Sequence, residues 1–401
     1  MSLLILFLLA LMLLWGRPSL VWQLPENGAC LSHNRTNIIN AFFIIIIVLR
    51  HINQRIVPFE GIDLWYQRLF DGPAGQSIVS SFFFFSGYGI FKAIERKREI
   101  YVKELITKRF LRLYINMGIC CAFSCMVYLI THLTPKEALG SFVETMIGAG
   151  GYWFIVMTLA IYLVTWFGFK IFGVNRPLLS ILLSFVLIYV LCVALIPIKP
   201  MWWLDTELCF PCGMLMALFL PEVENVVRKI RVPVLFVGAL CLVAGWVLMK
   251  YHMIPYYVVK EKFGLLEWLP VGWQNLLRDS YHILLYPLCT VVFVLGVLWL
   301  FAGIKWKKEP SFLIWLGGPA VFYIFVLHFI PIRIIQTGGL VGPYPIMSSD
   351  IAGVIVREPM GWGSVYPELS IVGMMAATLL LAYGGQLVVS RIDGWIFNSK
   401  K

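Results

Sequence analysis

The chemistry of this chain is best sought first in residues 35–51, Arg-Thr-Asn-Ile-Ile-Asn-Ala-Phe-Phe-Ile-Ile-Ile-Ile-Val-Leu-Arg-His. Nine apolar residues, Ala41 to Leu49, lead straight into Arg50 and His51. A membrane-spanning helix needs about 20 residues, so this one borrows polar neighbours over residues 37–56. At helical spacing Asn40 falls about 20° from the His51 face, and Asn37 and Arg55 about 40° from it. The helix therefore carries a polar stripe of Asn37, Asn40, His51 and Arg55 through greasy surroundings. Ionisable groups at membrane depth are costly and usually face a cavity or a partner. A neutral imidazole there can take a proton from a substrate. The plainer reading is a helix-end histidine and arginine reaching back to the interface.

Three other stretches carry reactive side chains. Arg109 and Arg112, in Lys108-Arg-Phe-Leu-Arg-Leu-Tyr114, are three residues apart and share a helical face. Two planar guanidinium forks on one face suit a phosphate, although basic clusters also anchor helices to lipid head groups. Ser86 lies in Phe82-Phe-Phe-Phe-Ser-Gly-Tyr-Gly89, where small residues let another backbone approach and leave a hydroxyl near the interior. Tyr323 and His328 lie in Val321-Phe-Tyr-Ile-Phe-Val-Leu-His328. Five residues separate them by about 140°, so they need not share a face. A second intramembrane histidine adds acid–base capacity; its plainer use is a hydrogen bond between helices. The nine cysteines fall mostly in apolar runs. The single Cys209-x-x-Cys212 contains Pro211 and has no second pair at metal spacing, so packing is expected and no metal site.

The elements that must position these residues are membrane helices. Of 401 residues, 60% are hydrophobic and 13% charged, and the mean hydropathy is +0.85. A soluble chain carries nearly twice that charged fraction. The periodicity predicts an all-α polytopic membrane protein of about 10–11 transmembrane helices. They cover about 37–56, 74–93, 112–131, 153–173, 177–197, 204–221, 232–249, 282–303, 313–336 and 368–390, with an uncleaved extra helix at 2–15. The net charge of +11 belongs to loops and is no sign of nucleic-acid binding. Lys and Arg crowd alternate connections: 96–112, then Lys170 and Arg176, then Arg228, Lys229 and Arg231, then Lys305, Lys307 and Lys308, then Arg391, Lys400 and Lys401. By the positive-inside rule these connections and the C-terminus are cytoplasmic, and His51 points outward.

The outer connections, 57–73, 250–281 and 337–367, are long. Trp268, Trp273 and Tyr281 mark the middle one; Tyr344, Trp362 and Tyr366 mark the last among many glycines and prolines. Aromatic rings suit flat sugar faces and also suit an interfacial belt. No internal repeat is visible. Residues 1–34 read as an extra helix with a cytoplasmic linker, and residues 35–401 as one transmembrane domain with no appended soluble domain.

Taken in order, these stretches resemble integral membrane acyltransferases of acyltransferase family 3. Asn37, Asn40 and His51 stand in the register of the family's helix that ends in histidine. Asn40, separated from His51 by ten residues, stands where the family usually has Arg or Lys. Phe82-Phe-Phe-Phe-Ser-Gly-Tyr88 is similar to the family's Phe-Phe-x-x-Ser-Gly-Phe/Tyr segment. Lys108 to Tyr114 is similar to its Arg-x-x-Arg stretch, without the proline. Tyr152-Trp153-Phe154-Ile155 resembles its Leu-Trp-Phe-Leu, and Trp315 to His328 its Leu-Gly-x-x-Ser-x-x-x-Tyr-x-x-x-x-His. The resemblance covers residues 35–335.

The resemblance implies transfer of an acyl group, most often acetyl, from cytoplasmic acyl-CoA to a hydroxyl of a cell-surface or lipid-linked polysaccharide. Acyl-CoA is then a co-substrate and no cofactor is bound. The expected partners are acyl-CoA, an envelope or exported glycan and membrane lipids, and a homo-oligomer stays open. The expected place is a bacterial plasma (inner) membrane. His51 and Asn40 would be catalytic, Arg109 and Arg112 would bind acyl-CoA, and Asn37, Ser86, Trp153, Tyr323 and His328 would line the cavity or meet the acceptor. The alternatives are a carrier of a lipid-linked glycan that makes no bond, or an inactive scaffold.

Overall fold

The computed structural model describes residues 2–22, 31–53, 73–131, 134–147, 152–230, 233–264, 266–336 and 367–398. Arg55, the connection 57–72 and residues 337–366, with Tyr344, Trp362 and Tyr366, lie outside the described residues.

The architecture is helical throughout. In chain order the helices are α1 (Ser2–Leu14), α2 (His33–Asn53), α3 (Pro73–Lys97), α4 (Glu99–Leu105), α5 (Arg112–Thr131), α6 (Pro135–Met146), α7 (Trp153–Phe172), α8 (Pro177–Leu195), α9 (Cys209–Ile230), α10 (Val234–Tyr251) and α11 (Ile254–Tyr257). Then come α12 (Val271–Ala302), α13 (Ser311–Gly317), α14 (Val321–Leu327), α15 (Phe329–Gln336) and α16 (Pro367–Asn398). Among the described residues nine helices are long and apolar enough to cross a membrane, and a bent pair, Ser311–Gly317 with Val321–Ile332, makes a tenth. These ten match the expected spans in order. Several begin or end a few turns away: α12 starts at Val271 rather than 282, and the third of them continues back to Glu99.

Residues 2–15 are the exception. Leu4–Leu14 is apolar but too short to be counted with the spans. Just beyond it the chain forms an unexpected two-stranded ladder, β1 (Pro18–Leu20) antiparallel to β2 (Ile304–Trp306). The ladder sets Arg17 beside the 304–308 segment, where Lys307 N donates to Arg17 O. Arg17 and the lysines at 305–308 thus share one face, as the charge distribution requires.

Two packed clusters fill the bundle. One centres on α3, α7, α9 and α12, the other on α2, α5, α13, α14 and α16. Phe82, Leu113 and Phe154 pack against both. Close backbone approach holds each cluster together. A Cβ on Gly87 would lie 2.0 Å from Phe210 O, and one on Gly213 1.9 Å from Phe84 O. This reciprocal contact presses α3 onto α9, which is how small residues join helices in lipid. The glycine of the Ser86-Gly87 step therefore serves packing.

Candidate active site

The bend between α13 and α14 builds the site. Gly317 sits so close to α2 that a Cβ there would meet Asn37 O at 1.8 Å and Ala41 N at 2.3 Å. A Cβ on Gly318 would meet the Asn37 amide nitrogen at 2.7 Å. The helix turns by 56° across this break. It then carries Tyr323 and His328 along α2 towards the end that bears His51.

His51 and His328 meet there. His51 Nδ1 lies 2.7 Å from His328 Nε2, and the two rings meet edge to edge, their centroids 4.9 Å apart and their planes only 11° from parallel. His328 is fully buried. Its Nδ1 faces two carbonyl oxygens, Phe325 O at 2.8 Å and Ile324 O at 3.1 Å. Carbonyls only accept, so His328 Nδ1 carries the hydrogen and Nε2 the lone pair. His51 Nδ1–H must then donate to His328 Nε2, which puts the His51 lone pair on Nε2. Phe329 packs against both rings, its centroid 4.9 Å from that of His51 and 4.0 Å from that of His328. A histidine whose tautomer and plane are fixed by a second group is the usual form of a general base.

Eleven residues back along the same face, about 16 Å down the helix, lies Asn40. Its side-chain oxygen is buried with no hydrogen-bond partner among the described residues. Leaving such an acceptor unmet costs about 1–3 kcal/mol, so a ligand that brings a donor would recover it. Asn37 instead belongs to packing: it contacts the Gly317–Gly318 break and lies 3.4 Å from His33 Nε2.

At the basic end, α4 passes into a π-helical turn, Ile106–Leu111, before α5. Such a turn adds a residue to the helical repeat and is frequent at functional sites. It also undoes the shared face expected for Arg109 and Arg112. Arg109 Nε donates to Tyr101 Oη at 2.8 Å, within electrostatic reach of Tyr162. Tyr162 Oη in turn shares a hydrogen bond of 3.1 Å with Ser86 Oγ. Arg109 with Tyr101 and Tyr162 with Ser86 therefore form two neighbouring hydrogen-bonded pairs. Arg109 is solvent-accessible, Ser86 half-exposed, and open space adjoins Gly89 one turn on. These groups lie together at the basic end of the bundle.

Arg112 points elsewhere, to a salt bridge of 2.7 Å with Asp393 of α16. Tyr323 is buried near that pair and is not brought to the histidines. Trp153 packs on Phe154, which contacts Phe325, which contacts His328. Tyr152 Oη donates to Val326 O at 2.9 Å and clamps α7 to α14 beside the histidine. Sequence reasoning missed Tyr101, Tyr162 and Tyr152. Tyr162 carried no spacing signal, because its partners come from other helices. Among the described residues, no three His, Cys, Asp or Glu side chains gather as a metal ion would need.

A family model described as an acyltransferase domain matches residues 36–387, most of the chain. No curated protein and no solved structure matches it. The matched region contains the whole constellation, from Asn37 and His51 on α2 through Arg109 and Ser86 to His328 at the end of α14. The chain belongs to acyltransferase family 3 and is an integral, multi-pass membrane acyltransferase.

Proposed function

We propose that the protein moves an acyl group, acetyl in the simplest case, from acyl-CoA on the basic face to a hydroxyl of an envelope or exported glycan at the opposite face. The observation that carries this reading is the hydrogen-bonded His51–His328 pair, with the lone pair of His51 on Nε2. His51 takes the proton of the acceptor hydroxyl, and the oxygen attacks the thioester carbonyl. The resulting oxyanion collapses, the carbon–sulfur bond breaks, and the leaving thiolate takes the proton back from His51. No covalent acyl-enzyme is needed.

Arg109 at the basic end is the residue suited to hold CoA phosphate, by charge-assisted hydrogen bonds. The pantetheine arm then threads inward past Asn40. Its amide N–H groups are donors, which is what the orphaned Asn40 oxygen lacks. Asn40, about 16 Å from His51 along α2, is too far from the reacting carbonyl to meet the oxyanion, and serves the pantetheine arm instead. Asparagine brings no charge to this role, in contrast to the basic residue usual in the family.

A carrier reading would expect discontinuous helices paired across two halves. The described residues contain one bent pair and no counterpart. Purified protein incubated with labelled acyl-CoA and glycan should consume thioester and place label in an alkali-labile ester. Movement of glycan with no thioester consumed would favour the carrier.

The two arginines separate in the same assay. Arg109→Ala should weaken acyl-CoA binding by about ten- to a hundredfold, the scale of one lost charge-assisted contact. Arg112→Ala should leave the affinity within about twofold and lower thermal stability instead, since Arg112 braces α16 through Asp393. Calorimetric titration with a non-hydrolysable acyl-CoA measures both. Equal losses from the two variants would refute the division.

A further inference from the structure

A second polar cluster lies at the same end of the bundle as His51, and the transfer step makes no use of it. Trp202 and Trp203 follow α8 in a short 3-10 turn, Met201–Trp203. With Trp153 they form a box of indoles: centroids 5.4 Å apart for Trp153–Trp202, 6.1 Å for Trp153–Trp203 and 5.9 Å for Trp202–Trp203. Trp203 is buried, while Trp202 is 48% exposed. Beside them, Gln76 of α3 donates both to Trp202 O at 2.9 Å and to Asp205 Oδ1 at 2.8 Å. Asp205 Oδ2 faces His282 Nε2 at 3.4 Å, and His282 Nδ1 lies 2.7 Å from His252 Nε2. Gln76 of α3 and the His282–His252 pair thus fix the buried Asp205 carboxylate and, through the Trp202 carbonyl, the turn that carries the indoles.

An interfacial tryptophan belt does not account for this arrangement. Trp268 and Trp273 are 77% and 59% exposed, as belt residues are. Trp202, in contrast, packs edge-on against two further indoles, and its backbone carbonyl accepts from Gln76 of α3. A half-exposed indole held in this way offers an apolar platform, which a pyranose ring matches with its C–H face.

Between this box and His328 stand Phe154 and Phe325, with ring centroids 6.2 Å apart for Trp153–Phe154, 5.3 Å for Phe154–Phe325 and 6.2 Å for Phe325–His328. Two phenylalanine rings thus stand between a sugar on the indole box and one at the histidines. We propose that Trp202, with Trp153 and Trp203, is a subsite for a sugar of the acceptor other than the one acylated, so that the preferred acceptor is an oligosaccharide or longer. The inference rests on the glycan-acceptor reading above and adds to it where, and how much of, the glycan is held. No bond changes at this subsite.

The test uses the purified full-length protein in nanodiscs with labelled acetyl-CoA. The acceptor is either an oligosaccharide digest of the host cell's surface glycan or the monosaccharides from its complete hydrolysis. For wild type, the KM for oligosaccharide should be at least about tenfold below that for monosaccharide. Trp202→Ala should raise the oligosaccharide KM about tenfold, with kcat and the KM for acetyl-CoA unchanged. Trp202→Phe, which keeps an aromatic face, should recover most of the loss. An active Trp202→Ala enzyme with unaltered oligosaccharide KM would overturn the subsite. If wild type labels neither acceptor, the glycan reading itself fails and this inference falls with it.

Discussion

Replacing His51 by alanine is expected to lower acyl transfer by about a hundred- to ten-thousandfold while acyl-CoA still binds. That range is what a positioned general base contributes. His51 acts through a ring whose tautomer is set by His328, itself anchored on Phe325 O and Ile324 O. His328→Ala should therefore reduce turnover by at least about tenfold, since the His51 ring loses its acceptor. His328→Gln should keep more activity than His328→Ala, because the glutamine oxygen can still accept from His51 Nδ1–H. Single-turnover rates in purified protein, with binding measured alongside, distinguish these cases. Equal rates for the Gln and Ala variants would mean that His328 does not act as the acceptor.

The second large effect comes from packing. Gly317→Leu should separate α13 from α2, because even its Cβ would need the space held by Asn37 O and Ala41 N. Ordinary overpacking costs about 1–3 kcal/mol; here the obstacle is backbone, which cannot rotate away. The expected result is a lower melting temperature, poor recovery of folded protein and transfer reduced more than about tenfold with both histidines intact. Gly373→Ala, on a helix position with open space around it, is the control and should behave as wild type. A Gly317→Leu protein with normal stability would contradict the docking of the broken helix that carries His328.

Some of this was legible in the sequence and some was not. The spans were readable because apolar length alone decides whether a segment crosses a lipid layer. The position of His51 over Asn40 was readable too, since α2 is a regular helix and its angles add. The same arithmetic failed for Arg109 and Arg112. Nothing in Lys108-Arg-Phe-Leu-Arg announces a π-turn, and once the turn gains a residue the two side chains part. The broken helix pair was expected as one span over 313–336, although Gly317-Gly318-Pro319 lies inside it. The seating of α13 against Asn37 depends on contact with a helix from the far end of the chain. The β1–β2 ladder was invisible for a related reason. Each strand is three residues long, and each exists only because the other is near.

The Asp205 cluster is the clearest case of information that lives between elements. Gln76, Asp205, His252 and His282 are each unremarkable in sequence, and only the packing of α3, α10 and α12 brings them together. The histidine pair of the active site has the same character. Periodicity picks out His51 and His328 separately and leaves a helix–helix hydrogen bond as the plain reading of the latter. Both readings describe the same contact, because a hydrogen bond between helices is what fixes the base.

The most direct measurement is the ester-linked acyl content of surface glycan in a deletion strain restored with wild type or with His51→Ala. The account predicts that wild type restores the ester and that His51→Ala, present in the membrane at equal level, does not. Full restoration by His51→Ala would contradict it.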